Sequence, residues 1–141
     1  MDQNPTPTYT LHSSGQVALA AFLGGPLGGC ILMAQNYRRV GSEQSARAAV
    51  GYGALSTVAL VIVAFMLPDN FPRAVLPVVY TLGLRNVAEL LQGRTLSDHL
   101  KRSGRRSSWW MACGVGCLSL VVTIGLFLLG AMVFPEWLVS K

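Results

Sequence analysis

Apolar and polar positions alternate along this chain in long blocks. Between Asp2 and Arg38 there is no Asp, Glu, Lys or Arg, and the apolar part of that stretch runs from Val17 to Ala34. A second charge-free block runs from Ala48 to Pro68, and a third from Ala74 to Leu84, where Arg85 interrupts it. The fourth, from Ser107 to Pro135, is the longest strongly apolar run. A helix needs about 20 apolar residues to cross the hydrocarbon core of a bilayer. Three blocks meet that length outright, and the third meets it only if the helix continues past Arg85.

Local signals bound these elements. Ser13 or Ser14 can cap the first helix with a hydroxyl, and Gly41 can take the left-handed position that ends it. Ser42 can cap the second helix, with Glu43 in its first turn, and Pro68 stops it. Asp69 or Asn70 can cap the third, with Pro72 near its first position, and Gly93 ends it. Thr95 and Asp98 form a capping-box-like start for a short interfacial helix that Gly104 ends. Ser107 or Ser108 begins the last helix and Pro135 terminates it.

Charge placement turns this pattern into a topology. The first loop carries Arg38, Arg39 and Arg47, and the loop after helix three carries Arg94, Lys101, Arg102, Arg105 and Arg106. The opposite side would hold only Arg73 and Lys141. The positive-inside rule then favours four spans, with both basic loops cytoplasmic and both termini periplasmic. Tyr37, Tyr52, Trp109 and Trp110 would mark the cytoplasmic interface, and Phe134 and Trp137 the outer one. The reading is an all-α, single-domain bundle of four transmembrane helices with a short interfacial helix before the last span. The spans are about 16–40, 46–67, 74–92 and 109–134, and the basic loops about 38–47 and 94–106.

Composition agrees. In 141 residues, 52% belong to the apolar set and 12% are charged, with a mean hydropathy of +0.47. Soluble domains carry about a quarter charged residues, so an ordinary cytosolic enzyme and a disordered tail are both excluded. The net charge of +5 is explained by the basic loops. The cluster Lys101, Arg102, Arg105 and Arg106 suits anionic lipid at the membrane surface, and nucleic acid is not expected as a partner. The N-terminal residues 1–16 contain no Lys or Arg, unlike a cleaved signal.

Two motifs lie inside the apolar blocks. Helix one contains Gly24, Gly25, Pro26, Leu27, Gly28 and Gly29, with Ala20, Gly24, Gly28 and Ala21, Gly25, Gly29 forming two small-residue stripes. Such stripes let helix backbones approach closely in lipid. Pro26 cannot donate to the carbonyl of Phe22, so a kink is expected. Packing is the first reading of this motif, and a broken helix lining a substrate or ion path is the second. Helix three places Thr81, Arg85, Glu89 and Gln92 on one stripe, with Asn86 beside it. Arg85 and Glu89, one turn apart, can form an ion pair within the helix, line a path, or dock another membrane protein.

No catalytic constellation is visible. Cys30, Cys113 and Cys117 fall in the cytoplasmic half of the membrane and read as small apolar residues, with neither metal nor cofactor expected. His12 and His99 would lie on opposite sides of the membrane.

The stretch from His12 to Gly41 resembles a group of small, uncharacterised bacterial multi-pass inner-membrane proteins. The resemblance rests on Gln16, the run Phe22-Leu23-Gly24-Gly25-Pro26-Leu27-Gly28-Gly29, then Asn36-Tyr37-Arg38-Arg39 and Gly41. It covers about the first third of the chain and implies a bacterial inner-membrane location, with no activity attached. The expected role is that of a non-enzymatic accessory or protective, immunity-type protein. It would act through helix–helix contacts with a membrane-protein partner or a second copy. The alternative is a small transporter or channel subunit with Pro26 and Arg85/Glu89 lining a path.

Overall fold

The structure is a computed structural model and describes residues 8–68, 70–72 and 74–133. It is all-helical. A two-residue strand β1 (Thr10–Leu11) leads into α1 (Ser14–Arg39), α2 (Glu43–Met66) and α3 (Val75–Lys101); a second short strand β2 (Arg105–Arg106) precedes α4 (Trp109–Val133). By length and composition three of the four helices, α1, α2 and α4, can cross a membrane. Arg73, Phe134, Pro135, Trp137 and Lys141, used above for topology and the outer interface, lie outside the described residues.

α1 is not one straight helix. Gly25 sits at φ 73° and ψ −172°, a backbone region open essentially to glycine alone. The chain reverses there. A continuous helix of 26 residues would be about 39 Å long. Instead, the backbone N–H and carbonyl of His12 are both bonded to the Asn36 side chain, at 2.7 and 2.9 Å. Across the arms, a Cβ on Gly28 would collide with the carbonyl oxygen of Ala20, and one on Gly29 would lie 3.0 Å from Ala21 Cβ. These contacts pair residues equidistant from Gly24 or nearly so. Residues 14–24 and 26–39 are therefore two arms of a helical hairpin. The small-residue stripes do not run along one face; they close the hairpin on itself.

The hairpin is the centre of the fold. Val17, Ala20, Ala21 and Leu32 are fully buried, and α1 alone carries most of the buried positions. Each of the other helices contributes only a narrow line: Ala46, Gly53 and Thr57 from α2, Ala88, Gln92 and His99 from α3, Ala112, Gly116 and Ser119 from α4. Gly24 lies so close to Gly116 and Ser119 that a Cβ would clash with both, and a Cβ on Gly53 would lie 2.5 Å from Cys30 Cβ. The remaining faces of α2, α3 and α4 expose large apolar side chains such as Leu55, Leu90 and Leu118.

The expected ends of α1 hold, whereas α3 begins at Val75 with Ala74 as its cap instead of Asn70 (Asp69 lies outside the described residues) and does not end where expected. Ser13 forms a capping box with Gln16, and Gly41 at φ 87° closes a Schellman turn in which Ser42 N–H reaches the Tyr37 carbonyl at 2.8 Å. Gly93 does not end helix three, and no separate interfacial helix forms, because α3 runs on to Lys101. Its last turns are held by Gln92 against the hairpin and by His99 against Tyr9 and Arg105. The chain turns only at Ser103 and Gly104, where a Cβ on Gly104 would overlap the His99 ring.

The second correction concerns the chain's direction. Because α1 returns to its starting end, residues 16–40 do not form one straight helix, and residues 9–12 lie beside the basic loops. Thr10 and Leu11 pair in parallel with Arg105 and Arg106, and Arg39 donates to Thr10. Among the described residues, 9–12 therefore lie beside these loops, where the sequence placed the N-terminal segment opposite them. His12 and His99 are likewise at one end of the molecule: Tyr9, just before β1, stacks on His99 with ring centroids 4.8 Å apart.

Candidate functional site

The hairpin tip is the most unusual piece of backbone in the molecule. A break in a helix frees carbonyls on one side and N–H groups on the other. Pro26 stands at the first position of the returning arm, where its missing donor costs nothing. The next donor, Leu27 N–H, is taken by the hydroxyl of Thr57 on α2 at 3.1 Å, and the same hydroxyl donates to Gly53 O at 2.9 Å. On the other arm, the Gly24 carbonyl accepts from the Thr123 hydroxyl of α4 at 3.2 Å. The break thus becomes a turn with its exposed polar groups capped by two threonines from flanking helices. Gly25 itself has space: an added Cβ would meet Thr123 Oγ1 at an ordinary 3.5 Å, so its constraint is conformational.

At the open end of the hairpin lies a buried polar network. Asn36 Nδ2 also donates to Gln92 Oε1 at 2.8 Å, and Gln92 Nε2 donates to the Met33 carbonyl at 3.0 Å. Gln16 Nε2 donates to Ser107 O at 2.6 Å, and Ser107 N–H donates to Leu11 O at 2.9 Å. His12 Nε2 bonds Gln35 Oε1 at 3.0 Å, and His99 Nε2 bonds the Arg105 carbonyl at 3.3 Å. The network ties both arms, the N-terminal segment, α3 and β2 into one unit. Its amide donors and acceptors are spent on one another, whereas Nδ1 of His12 and Nδ1 of His99 are buried without a hydrogen-bond partner. Burial holds the His12 imidazole below its ordinary pKa; the Gln35 hydrogen bond opposes that shift and the Arg39 guanidinium adds to it.

A hollow of about 150 Å³ lies beside Asn36 and Gln92, lined also by Tyr37, Val40, Thr95 and Leu96. Ligand pockets run from about 300 Å³ upward, and both amides on its wall are already engaged. Among the described residues no cluster of His, Cys, Asp and Glu is arranged to hold a metal ion. Cys30 is buried between hairpin and α2, whereas Cys117 is exposed on α4.

The sequence-predicted candidates separate into two groups. Gly24, Gly25, Pro26, Gly28 and Gly29 come together in the hairpin and are buried. Arg85 and Glu89 are both exposed on α3, with Asn86 between them, and no ion pair joins them. Arg85 follows Leu84, which packs at the level of Gly29, so the pair lies along the side of the bundle. Pro26 and the charged pair therefore line no common path. Thr57 and Thr123 were not singled out in the sequence, and Gln92 and Asn36 were named there without the buried hydrogen bond that joins them.

No family model, curated protein or solved structure matches this chain.

Proposed function

We propose that the chain is an integral protein of a bacterial inner membrane. In this reading α2, α3 and α4 cross the bilayer, and α1 enters from the cytoplasmic side and returns to it. The alternation of direction supports this: α2 and α4 start at the basic end, and α3 runs back to it. Both basic loops and the N-terminal segment are then cytoplasmic, in keeping with the positive-inside rule, and α4 ends on the periplasmic side. Capping of the hairpin tip by Thr57 and Thr123 fits a membrane setting. Non-helical backbone is tolerated at membrane depth only where protein surrounds it.

Within that frame the protein is a non-enzymatic accessory or protective, immunity-type protein that works through helix–helix contacts. The observation that carries this reading is the placement of Arg85, Asn86 and Glu89. They are exposed on the flank of α3, while the hairpin fills the centre of the bundle. An arginine facing hydrocarbon costs about 2.5–3.5 kcal/mol on insertion scales. A neighbouring protein that accepts its hydrogen bonds relieves that cost; a buried pore role has no support from side chains that point to the outside.

A photo-crosslinking residue placed at Leu82, one turn from Arg85, tests this in native membranes, with Leu55 of α2 as the control. A discrete protein adduct at Leu82 and none at Leu55 is the expected result. Absence of an adduct at Leu82, together with solute flux in liposomes abolished by Glu89→Gln, would replace this reading with the transporter one.

A further inference from the structure

We propose that residues 9–12 form a proton-released latch at the basic end of the molecule: His12 and His99 seat this strap while both rings are neutral, and acidification lifts it off the hairpin. The latch is independent of the membrane topology and of the partner proposed above.

The strap is held much as a separate peptide would be. The N–H and carbonyl of His12 are bonded to Asn36, the Leu11 carbonyl accepts from Ser107 N–H, and the Thr10 carbonyl and hydroxyl accept from Arg39. Leu11 and His12 are buried, and Tyr9 stacks on His99. Its only regular structure is the two-residue pairing with Arg105 and Arg106. A segment so short can open locally while the helices stay folded. Leu11 is also a wall of the hollow beside Asn36 and Gln92, so lifting the strap widens that hollow and frees the Asn36 amide and Ser107 N–H.

The two imidazoles share one arrangement. His12 Nε2 faces Gln35 Oε1, and His99 Nε2 faces the Arg105 carbonyl. An oxygen acceptor puts the proton of a neutral ring on Nε2 and leaves Nδ1 as a bare acceptor. In both rings that Nδ1 is buried without a partner. A second proton would place an N–H there with nothing to receive it, which is the costly kind of unmade hydrogen bond.

The surrounding charge has the same sign. Arg39 of α1 acts on His12, and Arg105 and Arg106 of β2 lie alongside the strap. From α3, Asp98 precedes His99 but is paired with Lys101, and at the start of α2 Glu43 is paired with Arg38; all four of these side chains are more than half exposed. α4 contributes the Met111 sulfur, which accepts from Arg39 and Ser107. The nearby phenols are Tyr9, on His99, and Tyr37, on the wall of the hollow. Among the described residues no carboxylate bonds to either ring. A proton gained at this end therefore meets arginines and no compensating anion, and lifting the strap returns His12 to water.

The test is made on the full chain in bilayers, in a background of Cys30→Ala, Cys113→Ala and Cys117→Ala. Leu11→Cys reports the strap, and Val40→Cys, at an exposed position, corrects for the pH dependence of thiol labelling itself. At neutral pH Leu11→Cys should label far more slowly than Val40→Cys. The ratio of the two rates should rise reversibly by about fivefold or more between about pH 7.5 and pH 5.5, since each proton taken up on opening contributes up to about tenfold per pH unit. His12→Gln and His99→Gln keep a donor near the position of Nε2 and cannot take a second proton. Each alone should reduce the rise, and together they should hold it under about twofold.

A parent ratio that does not change with pH overturns the latch. So does a rise that survives both glutamines, because the carboxylates of the exposed pairs would then be its source. Equal labelling of Leu11→Cys and Val40→Cys at neutral pH overturns the closed state itself. If a glutamine chain is already open at neutral pH, the parent is read by NMR of its histidine rings against the labelling curve. Opening that follows ring protonation supports the latch, and opening while both rings stay neutral refutes it.

Discussion

The backbone N–H of Leu27 is held by the hydroxyl of Thr57, 3.1 Å away on the neighbouring helix α2. This single bond shows how a helix can be broken in the middle of an apolar bundle. Gly25 supplies the conformation, Pro26 removes one donor, and Thr57 satisfies the next. Thr123 does the corresponding work for the Gly24 carbonyl.

Thr57→Val keeps the shape of this side chain and removes the hydroxyl. Leu27 N–H is then left without its partner in a site that water does not reach. We expect a loss of about 1–2 kcal/mol in unfolding measured in detergent, within the range of hydrogen bonds between membrane helices. Thr57→Ser should retain most of the stability. Equal behaviour of the two variants would mean that the hydroxyl does not support the turn.

The glycines should separate by cause. Gly25→Ala has room for its methyl group, so its cost is conformational, about 1–3 kcal/mol for a non-glycine residue held in that region. Gly28→Ala should also destabilise, but by pushing on the Ala20 carbonyl and opening the arms. Gly51, inside α2 with nothing near its position, is the control: alanine there should be neutral or stabilising by up to about 1 kcal/mol. Thermal unfolding of the three variants checks the order. A neutral Gly25→Ala would show that the chain does not reverse at that residue.

His12 gives the N-terminal latch a pH dependence. Its folded-state pKa lies below the ordinary 6.5, chiefly through burial, with Arg39 close by and His99 at the same end of the molecule. The unfolded segment therefore binds more protons than the folded one. The stabilisation is fully present above pH 6.5 and is lost as the pH falls below it toward the folded pKa. Protease cleavage within residues 8–13 should accelerate between neutral and mildly acidic pH, and His12→Gln should flatten that profile. Acceleration toward alkaline pH would contradict the sign.

Much of this architecture was legible in the sequence, and its main omission has a physical cause. The charge-free blocks located all four helices, and Ser13 and Gly41 bounded the first by local rules that tertiary packing left intact. The arrangement of both basic loops at one end also survived, because α2 and α3 still make an out-and-back pair. The return of α1 was hidden because hydropathy measures length and apolarity, and a hairpin of two short arms has the same length and apolarity as one spanning helix. Four-residue glycine spacing carries the same ambiguity: it suits a neighbour's backbone, or the chain's own other arm, as with Ala20 and Gly28. Gly93 misled for a related reason, since Gln92 and His99 hold α3 helical through contacts that no local rule contains. Arg85 and Glu89 were correctly placed on one stripe, but a helical stripe does not say which way it faces.

The hairpin is the claim on which the rest depends, and a distance decides it. Spin labels at Tyr9 and Val40, both exposed, flank the contact of Thr10 with Arg39 in a chain freed of its native cysteines. Pulsed dipolar spectroscopy in bilayers should give a distance well under half the length of the straight α1 helix, which is about 39 Å. A distance near or beyond that full length would mean that α1 spans the membrane unbroken and that the N-terminus lies opposite the basic loops.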